Sequence, residues 1–111
     1  MLNLNPMTKV HVCTSPTDMR KSYNGLIYTV QNYFDTSPSG GDFYVFINKN
    51  RTRMKVLFWD AGGFCLFCKR LEKGRFKFPD GSNLEISKMD LSMIIEGIDL
   101  TTVKRLPRYN P

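Results

Sequence analysis

The sequence predicts an α+β domain: an antiparallel meander sheet of four to six strands, one long N-terminal helix packed on one face, and a short C-terminal helix. Three observations carry that prediction. Apolar residues recur at helical spacing between residues 16 and 34, then at a period of two from residue 43 onward. Short turns join the alternating segments, whereas parallel neighbours would need crossovers of about a dozen residues. A chain of 111 residues, 41% hydrophobic and 13% aromatic, suits one globular domain over residues 1–100.

Residues 8–13 (Thr8 to Cys13) alternate polar and apolar, the pattern of a half-buried strand. Ser15-Pro16-Thr17-Asp18 reads as a helix start, with hydroxyl caps, an early proline and an acid in the first turn. Met19, Tyr23, Leu26, Ile27, Val30 and Phe34 then mark one face of a helix over 16–34. Gly25 costs that helix about 1 kcal/mol relative to alanine. Ser37-Pro38-Ser39-Gly40-Gly41 breaks it.

Phe43–Asn48 is the next strand, and Lys49–Thr52 a polar turn. Arg53–Asp60 and Phe64–Leu71 flank a turn at Ala61-Gly62-Gly63, and Glu72-Lys73-Gly74 leads into a short strand, Arg75–Phe78. An extended piece at Leu84–Ile86 precedes Ser87-Lys88-Met89-Asp90, a capping-box-like start with Asp at the Glu position. That helix, Lys88–Glu96, stops at Gly97. From Thr101 the tail lacks periodicity, so residues 101–111 are expected to form a basic, flexible extension.

No apolar run approaches the roughly 18 residues of a membrane span, and the polar N-terminus lacks a signal-peptide core. Three cysteines fit a reducing compartment better than a disulfide framework. A cytoplasmic protein is expected. Charge is informative through its distribution. The net charge of +6 concentrates between Lys49 and Lys77, where nine cations face two acids, Asp60 and Glu72 (9 − 2 = +7); the remainder is 7 − 8 = −1.

In Arg53–Asp60, Met54, Val56 and Phe58 point one way, and Arg53, Lys55, Leu57 and Trp59 the other. Phe76 and Phe78 likewise oppose Arg75 and Lys77. One sheet face is therefore expected to be apolar and to receive the first helix, while the other is basic and aromatic. The basic face fits nucleic acid: Arg51, Arg53, Lys55, Lys69, Arg70, Lys73, Arg75 and Lys77 would neutralise phosphates while Trp59 or Tyr44 stacks. The blander reading is a solvated strand face with cations guarding an edge. The register that would place Lys69 and Arg70 is open at this stage.

Cys65-x-x-Cys68 resembles half a zinc site, but residues i and i+3 of a strand lie on opposite faces. A four-ligand set of His11, Cys13, Cys65 and Cys68 would require the first strand beside them. No metal site and no cofactor are expected, the cysteines reading as small buried hydrophobes. Catalysis lacks its usual signatures: His11 is the only histidine, no serine sits at a nucleophile elbow, and Gly40-Gly41 and Gly62-Gly63 match no phosphate loop. No catalytic residue is assigned. Arg20 and Lys21 near a helix start oppose the macrodipole, which points to anion contact, a partner, or pairing with Asp18.

Several ordered blocks resemble one family. They are Pro16-Thr17-Asp18-Met19-Arg20-Lys21 with Gly25-Leu26, Val45-Phe46-Ile47-Asn48, Lys55-Val56-Leu57-Phe58-Trp59-Asp60 with Gly63-Phe64, Lys69-Arg70-Leu71-Glu72-Lys73-Gly74-Arg75-Phe76, and Ile94-Ile95-Glu96-Gly97-Ile98-Asp99. Over roughly residues 8–100 the chain is similar to the TnpB-type accessory protein of the IS-sixty-six group of bacterial insertion sequences, which is not the RNA-guided nuclease of that name. The resemblance implies a non-catalytic protein encoded beside a larger transposase and needed for efficient transposition. Cys65 and Cys68 stand where family members often carry aliphatic or aromatic residues, a further argument against a metal there. The expectation is thus DNA contact through the basic face with little sequence preference. Alternatives are docking on the transposase through Trp59, Phe64 and Tyr44, and a small metal-dependent nuclease using Asp60. The oligomeric state is open.

Overall fold

The computed structural model describes residues 7–79 and 84–98; the expected tail at 101–111 lies outside them. The elements run β1 (Val10–Cys13), α1 (Tyr23–Thr29, continued by a π-helical turn at Val30–Phe34), β2 (Phe43–Ile47), β3 (Arg53–Asp60), β4 (Gly63–Arg70), β5 (Leu84–Ile86) and α2 (Lys88–Ile95). The five strands form one sheet in the order β4-β3-β2-β1-β5. The class is α+β, as expected.

The expected meander exists from β2 to β4, with Tyr44 opposite Leu57, Arg53 opposite Arg70 and Asp60 opposite Gly63. The sheet as a whole is mixed, because β1 runs parallel to β2 (Val10 opposite Phe43), while β5 returns antiparallel to β1. The α1 connection is the crossover that this parallel pair needs. At the β3–β4 turn, Ala61 and Gly62 both have positive φ (49° and 87°), matching a two-residue hairpin of the twist-compatible kind.

The long helix over 16–34 is not formed. The Thr17 N–H donates to the Ile47 carbonyl (2.8 Å) as the chain rounds the end of β2, and the Asp18 carboxylate accepts the Arg20 N–H (2.8 Å). Ser22 is extended (φ −120°, ψ −151°), so the helix begins only at Tyr23. Ser15 to Asp18 are thus tied to the sheet and to a local turn. Arg75–Phe78 alternates as expected, with Phe76 and Phe78 buried and Arg75 and Lys77 exposed, but it is a strap and not a strand of the sheet. The Phe76 N–H donates to the Arg51 carbonyl (2.7 Å).

The C-terminal helix follows its signals closely. Ser87 accepts the Asp90 N–H through its hydroxyl (3.0 Å). Gly97 (φ 90°) ends it, with Gly97 N–H to Ile94 O and Ile98 N–H to Met93 O closing a Schellman motif.

Both sheet faces are covered. Leu91 and Ile94 of α2, with Phe76 and Phe78, close a core over Val10, Val12, Phe43, Val45, Met54, Val56 and Phe58. Leu26 and Val30 of α1 close a second over Cys13, Tyr44, Phe46 and Leu57. The first helix therefore packs on the face expected to be basic and open. Leu57 decides this: it shares a side with Arg53 and Lys55, and it is fully buried.

Candidate nucleic-acid interface

The cations gather at one end of the sheet. The C-termini of β1, β2 and β4 and the N-terminus of β3 meet there. Asn48 builds the turn at this end: its side-chain carbonyl accepts the N–H groups of Thr52 (2.9 Å) and Arg53 (3.0 Å). Arg51 is held left-handed (φ 60°), its N–H on the Asn48 carbonyl (3.0 Å) and its own carbonyl on the strap. The same turn therefore fixes Arg51, Arg53 and the start of the Arg75–Lys77 strap.

Beside the turn, Arg53 and Arg70 are register partners on one face, which settles the placement of Arg70. With Met19, Met54, Lys55, Cys68, Lys69 and Glu72 they line a groove of about 430 Å³. A smaller hollow of about 170 Å³ lies around the turn, lined by Lys49, Arg51, Asn48, Phe78 and Pro79. Lys55 is half-buried, and its Nζ donates to the Lys21 carbonyl (2.7 Å), bringing the 18–21 turn to the same end.

The acids at this end are ion-paired. Asp18 takes Nε (3.1 Å) and Nη2 (2.7 Å) of Arg20, and these bonds hold its carboxyl down at about 2. Glu72 accepts from Nε of Arg70 (2.9 Å). Arg51, Arg53, Lys49, Lys73, Arg75 and Lys77 are exposed around them. Such a concentration of cations around a groove can bind polyanions by phosphate neutralisation.

Two expected members stand elsewhere, and Lys69, though it borders the groove, is engaged on the α2 face. Lys69 pairs with Met54 on the α2 face, where its Nζ donates to the Ile95 carbonyl (2.7 Å) at the helix C-terminus. That is a structural bond, favoured by the helix dipole. Trp59 lies six residues from Arg53 along β3, roughly 20 Å away, edge-on to Phe64 (4.9 Å, 79°) near the hairpin tip. Tyr44 is buried beneath α1, its phenol pushed upward by desolvation, and is no stacking platform.

Cys65 lies on the α2 face and Cys68 on the α1 face, as the strand period requires. His11 and Cys13 sit on β1, separated from β4 by the two strands β2 and β3. His11 instead bonds Asp42 (2.9 Å) and stacks on Tyr44 (5.1 Å). Asp60 ends β3 at the hairpin tip, and among the described residues no three His, Cys, Asp or Glu side chains gather to hold a metal. Among the described residues no helix is long and apolar enough to cross a membrane.

The sequence reading missed Asn48 as the organiser of the turn, Lys49 as a member of the site, and the approach of Arg20 and Lys21. Asn48 heading a polar stretch after a strand was a readable signal, since Asn side chains commonly bond backbone N–H groups further on. The approach of residues 18–21 depends on the parallel β1–β2 pair and had no local signal.

A family model described as "IS66 Orf2 like protein" matches residues 8–105. The chain is 38% identical over 106 residues to the uncharacterized protein y4jC of Sinorhizobium fredii, covering 93% of this chain and 90% of the relative. It is 37% identical over 101 residues to the uncharacterized protein y4hO of the same strain, covering 89% and 88%. No solved structure matches.

Proposed function

Since the chain belongs to the IS66 Orf2-like family, a family of insertion-sequence accessory proteins, we propose that it serves transposition without a catalytic step of its own, by binding DNA through the basic end of its sheet. The observation that supports this is the convergence of Arg53, Lys55, Lys69 and Arg70 on one groove whose acid, Glu72, is already ion-paired, with Arg51 lining the neighbouring hollow. Phosphate contacts of this kind position a protein on a duplex without reading its sequence. The binding is therefore non-specific and strongly salt-dependent. Lys49, Lys73, Arg75 and Lys77 extend the surface along the turn and strap.

The test is fluorescence anisotropy of a labelled duplex at several salt concentrations. Log K should fall with log salt at a slope of about −3 to −5, on the order of 0.9 per phosphate. Arg53→Glu should weaken binding about tenfold or more at low salt. Absence of binding at low salt, or binding unmoved by Arg53→Glu, would refute the reading. The half-exposed Trp59–Phe64 pair favours a second reading, docking on the element's transposase with aromatic anchors. On that reading the protein makes no DNA contact: the duplex stays unbound at low salt, and Trp59→Ala abolishes transposase capture.

A further inference from the structure

We propose that β4 is a self-association edge: two copies of this chain pair β4 against β4 antiparallel about a two-fold axis, joining their sheets into one. This does not depend on the DNA reading, although Arg70 figures in both. β4 terminates the sheet, and among the described residues no strand pairs with its outer side. It is eight residues long, it pairs with β3 without a bulge, and it has neither proline nor charge from Gly63 to Cys68. Phe64, Cys65, Leu66 and Phe67 are all only half-buried. Natural edges are usually shortened, bulged or charged to prevent such pairing. The opposite edge, β5, is three residues long with a glutamate at its centre. The two edges are handled in opposite ways.

The ladder fixes which backbone groups are offered. The Leu71 N–H donates to the Thr52 carbonyl (2.8 Å), one step beyond the Arg53–Arg70 pair. Odd-numbered residues of β4 therefore turn their backbone groups towards β3. Phe64, Leu66, Cys68 and Arg70 turn theirs outward. A two-fold axis perpendicular to the sheet keeps like faces together, so paired residues have the same parity. The register with Phe67 on the axis places Leu66 opposite Cys68 and Phe64 opposite Arg70, and so uses all four outward residues.

Charge selects the second copy as the occupant. Lys69 and Arg70 stand at one end of β4 only, so antiparallel pairing separates the two basic ends of a protein carrying +6 per chain. It also sets each Arg70 beside the other copy's Phe64, next to Trp59 on the same face. A guanidinium over that aromatic pair is favourable. One contact thus accounts for the edge left unpaired among the described residues and for the half-exposed aromatic corner.

The full chain is weighed by sedimentation velocity or light scattering in moderate salt, without DNA. The expected mass is twice 12.8 kDa, and raising the salt should not dissociate the pair, whereas it would release DNA. Cys68→Pro removes one outward N–H at an exposed position and should raise the dimer Kd by about tenfold or more. Phe67→Cys, with Cys65→Ser and Cys68→Ser, should form an intermolecular disulfide under air oxidation, since residues on the axis lie within disulfide reach. A monomer at high concentration, a dimer unmoved by folded Cys68→Pro, or a Phe67→Cys chain that stays uncrosslinked would overturn the proposal.

Discussion

The two faces of the sheet are covered by different means, and the difference explains which side chains are left accessible. On one face, α2 and the Phe76–Phe78 strap close a broad core that reaches from β1 to β4. On the other, α1 with its π-helical turn buries a smaller set, Cys13, Tyr44, Phe46 and Leu57, with Phe64 and Leu66 of β4 packed half-buried against them. Twelve helical residues span about 18 Å, while the eight residues of β3 run about 27 Å. The shorter cover leaves both ends of its face half-open. Arg53 and Arg70 occupy one opening, and Trp59 and Phe64 the other. The candidate surfaces lie where burial ends.

If the cores are as unequal as this, truncation should rank them. Phe43→Ala, deep in the broad core against Phe58 (4.7 Å), should cost about 3–5 kcal/mol in urea unfolding. Leu26→Ala, beneath α1, should cost about 2–4 kcal/mol. The sheet separates the two clusters, so the milder pair Phe43→Leu and Leu26→Val should add with less than about 0.5 kcal/mol of coupling. Coupling as large as that expected between Phe43 and Phe58 would show that the faces act as one core.

Lys69 and Arg53 sharpen the same contrast at smaller scale. Lys69 serves the α2 face as a bond to the helix C-terminus, whereas Arg53 is exposed on the α1 side. Lys69→Ala should lower stability by about 1 kcal/mol and leave DNA affinity within about twofold. Arg53→Glu should do the reverse. Equal losses of DNA affinity from both would return Lys69 to the interface.

The fold was legible wherever a local pattern decides the outcome. Period-two alternation and short turns define β2 to β4, and Ser87, Asp90 and Gly97 bound α2 with ordinary caps. The parallel β1 was not legible, since nothing within Val10–Cys13 says which neighbour it takes. The inverted cover of the sheet had a signal that alternation in β3 masked. Phe43–Ile47 is an unbroken apolar run, buried along its whole length, as strands covered on both faces are. Read with Leu57, that run argues for two covered faces. The charge excess singled out one segment of the chain, but only the register separated Arg70 from Lys69 and Arg53 from Trp59.

The smallest effect tests the segment that replaced the first turns of the expected long helix. Asp18 bonds the Arg20 side chain and N–H in a turn that precedes α1, and its carboxyl titrates at about 2 instead of 3.8. A folded-state value below the unfolded one means that the carboxylate stabilises the fold above about pH 4. That contribution disappears as the pH falls through 2. The pair is exposed, so salt screens it and the effect is slight. Asp18→Asn should flatten the fall in stability between pH 4 and pH 2, with little change at pH 7 beyond loss of the turn. A carboxyl resonance of Asp18 that titrates near 3.8 would mean that Arg20 is free of it. The cation would then be available to the basic end, adding to the contrast between the two faces.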